Sequence, residues 1–143
     1  MGWWKFTHKC QTFWQLSWAD RRTFLATLFL LPGMALALQI LGFRRVWDYL
    51  NRGPAPAPAD PTHLHARLQM IHLATRYCPF RANCLQRSLV LWWLLRQAGV
   101  STALRIGVRK TAADLSAHAW VEYEGQVLND QADIHQVFAP FEK

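Results

Sequence analysis

The sequence predicts an α+β domain: a central helix bearing a cysteine packs on a small antiparallel sheet, and apolar helices precede it. Three observations lead there. Cys84 opens an apolar run with few charges, Cys84 to Ala98. Two later stretches, 104–109 and 117–123, alternate in the manner of half-buried strands. Phe24 to Phe43 contains no charged residue. The 143 residues suffice for one compact domain and are too few for two ordinary ones. A hydrophobic share of 52% with only 17% charged argues against disorder over most of the length.

In chain order, residues 1–51 form an apolar N-terminal helical region. Trp3, Trp4, Phe6, Phe13, Trp14 and Trp18 crowd its start, and Arg21-Arg22 and Arg44-Arg45 flank the uncharged stretch of twenty residues. That length is enough to cross a bilayer. Thr27, Gln39, the helix-disrupting pair Pro32-Gly33 and equal positive charge at both ends oppose a span. A signal peptide ending near Ala35-Leu36-Ala37 would need an unusually long leading region. A helix pair that is buried or covers an interface is expected, ahead of membrane contact or a cleaved signal. Residues 52–61, Arg-Gly-Pro-Ala-Pro-Ala-Pro-Ala-Asp-Pro, read as an extended linker, because alternating prolines remove backbone donors and hold φ near the polyproline value.

Residues 62–143 form the domain proper. Asp60 and Pro61 signal a helix start, and Leu64, Leu68, Ile71 and Thr75 recur at helical spacing up to Pro79. The next helix starts at Cys84, with Asn83 as N-cap and Gly99 as its stop. Leu85, Leu89 and Trp92 make one stripe, and Leu91, Trp93, Leu94 and Leu95 fill much of the remaining circumference, so this helix should be central. A thiol in its first turn meets the positive end of the helix dipole, which favours thiolate. Strands follow at Leu104–Arg109, Ala117–Tyr123 and Gln126–Asp130. Ile134 to Phe141 should pack back on the core.

Cys84, His118 and Asp130 stand in the order of a papain-like or transglutaminase-like nucleophilic site. The hairpin around Glu124-Gly125 tests whether they can meet. A two-residue loop would oppose Tyr123 to Gln126 and send His118 and Asp130 to opposite faces. A three-residue loop, Tyr123-Glu124-Gly125, with Gly125 left-handed and a β-bulge, would pair Glu122 with Gln126 and set His118 opposite Asp130 with Cβ atoms about 5 Å apart. The three-residue loop is therefore expected.

Other classes fit less well. The net charge of +7 comes as scattered pairs without a nucleic-acid-binding motif, so no nucleic acid is expected. Three cysteines, Cys10, Cys78 and Cys84, argue for a reducing compartment instead of a disulfide framework. The five residues between Cys78 and Cys84 fit no common zinc spacing, and His63, His65 and His72 lack acidic or thiol partners nearby, so no metal and no cofactor is expected.

The runs Ala-Asn-Cys-Leu-Gln-Arg-Ser-Leu-Val-Leu, Leu-Arg-Ile-Gly-Val-Arg-Lys, Ala-His-Ala-Trp-Val-Glu and Leu-Asn-Asp resemble the transglutaminase-like leader peptidases of lasso-peptide biosynthesis. The resemblance implies a transglutaminase/papain-like core and a cysteine peptidase that removes the leader from a ribosomally made precursor peptide, freeing the core's N-terminal amine for a partner macrocyclase. It places the nucleophile at Cys84, the general acid/base at His118 and the orienting residue at Asp130. Asn83, as a second oxyanion donor, and Trp120, as a shield of the site, are further candidates, with capping and core packing as their plainer roles. The N-terminal part is short and apolar, so the split form is implied, which relies on a separate leader-binding protein. The expected location is cytoplasmic, with membrane association through residues 24–43 as the open alternative. A transglutaminase-like acyltransferase, using an amine instead of water, and a non-catalytic membrane-associated adaptor are the competing readings.

Overall fold

The computed structural model describes residues 17–53 and 61–140. Cys10, the aromatic residues before Ser17, the Asp60 cap, the proline run of the linker and Phe141 lie outside the described residues.

Helix α1 spans Trp18–Asn51, capped at its start by Ser17, whose side chain accepts from the Asp20 N–H. The expected break at Pro32-Gly33 does not occur. Pro32 is exposed, while Leu31, Met34 and Ala35 beside it are buried on the opposite face. Packing of that face holds the helix through a residue that ordinarily costs it about 3 kcal/mol. The break comes instead at Gly42, at φ 78° and ψ 162°, a conformation open essentially to glycine alone. The stretch is thus a pair of helical segments, divided ten residues later than the proline suggests.

A 3₁₀ turn, Pro61–His63, leads into α2, Leu64–Tyr77. Helix α3, Cys84–Gln97, follows and is the centre of the molecule, packing against α1, α2 and the sheet. Both of its ends are set by local chemistry. Asn83 accepts from the Gln86 N–H at 2.9 Å while the Gln86 side chain accepts from the Asn83 N–H at 3.0 Å, a reciprocal capping box. At the far end Gly99, at φ 83°, turns the chain so that the Val100 N–H reaches the Leu95 carbonyl.

The sheet comprises β1 (Ala103–Lys110), β2 (Leu115–Tyr123), β3 (Gln126–Val127) and β4 (Ala139–Pro140) in the order β3-β2-β1-β4, with antiparallel neighbours. A four-residue helix, α4 (Ile134–Val137), precedes β4. Val121 of β2 joins Leu91, Trp92 and Leu95 of α3 and Ile71 of α2 in one core cluster. Leu31, Met34 and Val46 of α1 join Leu89 and Val90 of α3 in another. Trp47, Leu50, Leu94 and Leu104 pack against both, so α1 shares apolar packing with α3 and the sheet.

The hairpin expectation is corrected. Tyr123 pairs with Gln126 and Glu122 with Val127, so the loop has two residues, with Glu124 at φ 49° and Gly125 at φ 79°. Two successive left-handed residues twist as the flanking strands do, which makes the tight turn the cheaper solution.

Candidate active site

Cys84 lies at the first position of α3, where the capping box anchors the chain and the helix presents its unbonded N–H groups. It opens onto a cleft of about 350 Å³. Ile71, His72, Thr75 and Arg76 of α2 and Arg87 and Leu91 of α3 line one side, and His118, Ala119, Asn129 and Asp130 the other.

His118 and Asp130 are in direct contact, the ring Nε2 against the carboxylate Oδ2. With a two-residue turn the ladder should have sent these side chains to opposite faces, and the reason it does not is visible one residue earlier. The Leu128 N–H still donates to the Val121 carbonyl at 2.9 Å. The return bond, from the Val121 N–H, goes to the Asn129 side-chain oxygen, also at 2.9 Å. The side chain substitutes for backbone, β3 leaves the ladder, and the chain is free to turn Asp130 toward the imidazole. The Asn129 amide nitrogen then donates to Ser88 Oγ at 2.8 Å, and Ser88 donates to the Ala119 carbonyl at 2.8 Å. Ser88 is fully buried one helical turn after Cys84. The Asp130 loop is thereby tied both to the helix that carries the thiol and to the strand that carries the imidazole.

The His118 ring is held from two sides. Phe138, between α4 and β4, lies 5.1 Å from it centroid to centroid, and Trp120 stacks at 6.3 Å. Trp120 is completely buried and donates through Nε1 to Glu122 at 2.7 Å. Its ring lies so close over Gly107, the cross-strand partner of His118, that a Cβ there would meet it at 2.8 Å. Trp120 therefore backs the histidine without lining the cleft. Asn83 does not line it either, its side chain being engaged in the cap. The His118 side chain keeps 22% of its surface exposed, enough for a substrate to reach it.

Among the described residues, no group of three or more His, Cys, Asp or Glu is gathered to hold a metal, and Cys78 and Cys84 are free thiols. The surrounding protein desolvates His72 and lowers its pKa below the ordinary histidine value. Arg105 donates to Glu122 at 3.1 Å, and the Arg109 guanidinium lies 5.2 Å above the Phe138 ring. Sequence reasoning missed Ser88, Asn129 and Phe138. A lone small polar residue four positions after the cysteine, in an otherwise greasy helix, was the available signal for the first, and Asn129 stood within the Leu-Asn-Asp run. Nothing local marks Phe138.

A thiol at a helix start and a carboxylate-bound imidazole on the wall of one cleft are the parts required for nucleophilic acyl transfer. A sequence profile of the transglutaminase-like superfamily matches residues 28–143. Comparison with curated proteins and with solved structures gave no match.

Proposed function

The chain belongs to the transglutaminase-like superfamily, whose fold is commonly that of a cysteine hydrolase or acyltransferase, and from that premise we propose a cytoplasmic cysteine peptidase that removes the leader from a lasso-peptide precursor. The observation that carries the chemistry is the contact of Asp130 with His118 Nε2 in the cleft onto which Cys84 opens. A carboxylate holding that nitrogen leaves Nδ1 as the one to face a thiol. Cys84 attacks the scissile carbonyl as thiolate, and His118 as imidazolium delivers its proton to the leaving amine. Neutral His118 then activates water to release the acyl-enzyme, with Asp130 steadying the tautomer and the charge. The Cys84 N–H, in a turn without intrahelical acceptors, is an oxyanion donor.

The four motif runs quoted above support the narrower assignment, and with it three partners: the precursor peptide, a separate leader-binding protein and a macrocyclase that uses the freed amine. Incubating the protein and leader-binding partner with precursor tests it by product mass. Cleaved peptide that disappears with Cys84→Ala is the expected result. An amine adduct would point to an acyltransferase, and absence of any Cys84-dependent product to an adaptor.

The outward face of α1 supports peripheral membrane contact. Trp18, Leu25, Phe29, Leu36 and Ile40 are exposed at intervals of seven, four, seven and four, which keeps them on one side of the helix. Arg21-Arg22 and Arg44-Arg45 stand at the two ends of the uncharged stretch. The opposite face shares a core with α3, which favours a helix lying in the membrane surface over one crossing it. Flotation with phosphatidylglycerol-containing vesicles should carry the protein, and pure phosphatidylcholine should carry less. Equal flotation with both, or none, would refute this arrangement.

A further inference from the structure

The cleft in front of Cys84 carries unbalanced charge. Arg76 of α2 and Arg87 of α3 both line it, and neither makes an ion pair or side-chain hydrogen bond among the described residues. Arg87 follows Cys84 by three positions, which puts the two on one side of α3. Among the described residues Asp130 is the only acid on the wall, and both its oxygens are engaged: Oδ2 with His118, and Oδ1 accepting from the Gln131 N–H at 2.8 Å. Among the described residues no carboxylate lining the cleft is left to pair with the two guanidiniums. His72, whose charged form is disfavoured by desolvation, is a neutral neighbour at pH 7. The fixed positive charge is therefore that of the arginines. A guanidinium fork is matched by a carboxylate, which it can bind through two parallel hydrogen bonds.

We propose that Arg76 and Arg87 form a subsite for a carboxylate, so that the peptide presented to Cys84 bears an aspartate or glutamate close to its scissile bond. The small volume of the cleft limits that acid to the residues flanking the bond. The proposal rests on Cys84 being the nucleophile, and its test separates the two.

The probes are iodoacetate and iodoacetamide, which alkylate the same thiolate and differ by one negative charge. The full-length protein is treated with each, and modification of Cys84 and Cys78 is followed by peptide mass spectrometry. Because both reagents require thiolate, the ratio of their rates cancels any difference in ionisation. The iodoacetate-to-iodoacetamide ratio at Cys84 should exceed that at Cys78. Arg76→Gln and Arg87→Gln should each lower it roughly two- to five-fold, the range for a solvent-exposed charge pair. Raising the salt to 1 M should lower it in the unaltered protein, where no folding defect can intrude. A ratio at Cys84 equal to that at Cys78, or one indifferent to both substitutions and to salt, overturns the subsite. A Cys84 that reacts with neutral iodoacetamide no faster than Cys78 instead overturns the nucleophile on which the subsite rests.

Discussion

Helices α1 and α3 are both apolar, and they use that property differently. Helix α3 buries Leu89, Val90, Leu91, Trp92 and Leu95 almost completely, on several sides, against two helices and a sheet. Helix α1, more than twice as long, buries Thr27, Leu31, Met34, Ala35 and Val46 and leaves Phe29 75% and Ile40 70% exposed. An apolar side chain gains by leaving water whatever replaces the water. In α3 the replacement is the rest of the protein; the outer face of α1 is exposed among the described residues, and the lipid contact proposed above is what would cover it.

The difference can be tested by substitution. Leu89→Ala should cause the largest loss, about 2–5 kcal/mol in chemical denaturation, because a fully buried leucine leaves a cavity. Next is Ser88→Ala, at roughly 1–3 kcal/mol, since it strips the Ala119 carbonyl and the Asn129 amide of their partner. The same change should slow Cys84-dependent cleavage at saturating precursor, because the Asp130 loop loses its tie to α3. An unaltered rate would show that the tie is structural only. Asn83→Ala removes half of the capping box and should cost about 1 kcal/mol. Phe29→Ser should change stability by no more than about 0.5 kcal/mol, as for other exposed positions, while reducing vesicle flotation. A loss from Phe29→Ser as large as that from Leu89→Ala would mean that the outer face of α1 is covered after all, and the contrast with α3 would fall.

Much of the architecture was readable from short-range pattern. Asn83 and Gly99 bracket α3 because capping and left-handed turns are made by neighbours in the chain. Residues 103–110 and 115–123 are strands as their sequence pattern predicts, but the second is not half-buried: Ala119, Trp120, Val121 and Glu122 are buried in succession, so both of its faces are covered there. The errors were of another kind. Pro32 has an intrinsic preference against the helix interior, and it lost to burial of Leu31 and Met34. The hairpin count took the ladder to continue to Asp130, whereas Asn129 ends it by bonding the Val121 N–H through its side chain.

Local order of residues was thus sufficient to nominate Cys84, His118 and Asp130, because Cys84 opens a capped helix, His118 stands in a strand run, and Asp130 follows them within the Leu-Asn-Asp run. Their meeting in one cleft was not decided locally. It depends on Ser88 reaching Asn129 across forty-one positions, and on Phe138 returning from the end of the described chain to the His118 ring. Contacts between residues so distant in sequence leave no period or spacing to read, since they exist only once packing has brought the segments side by side.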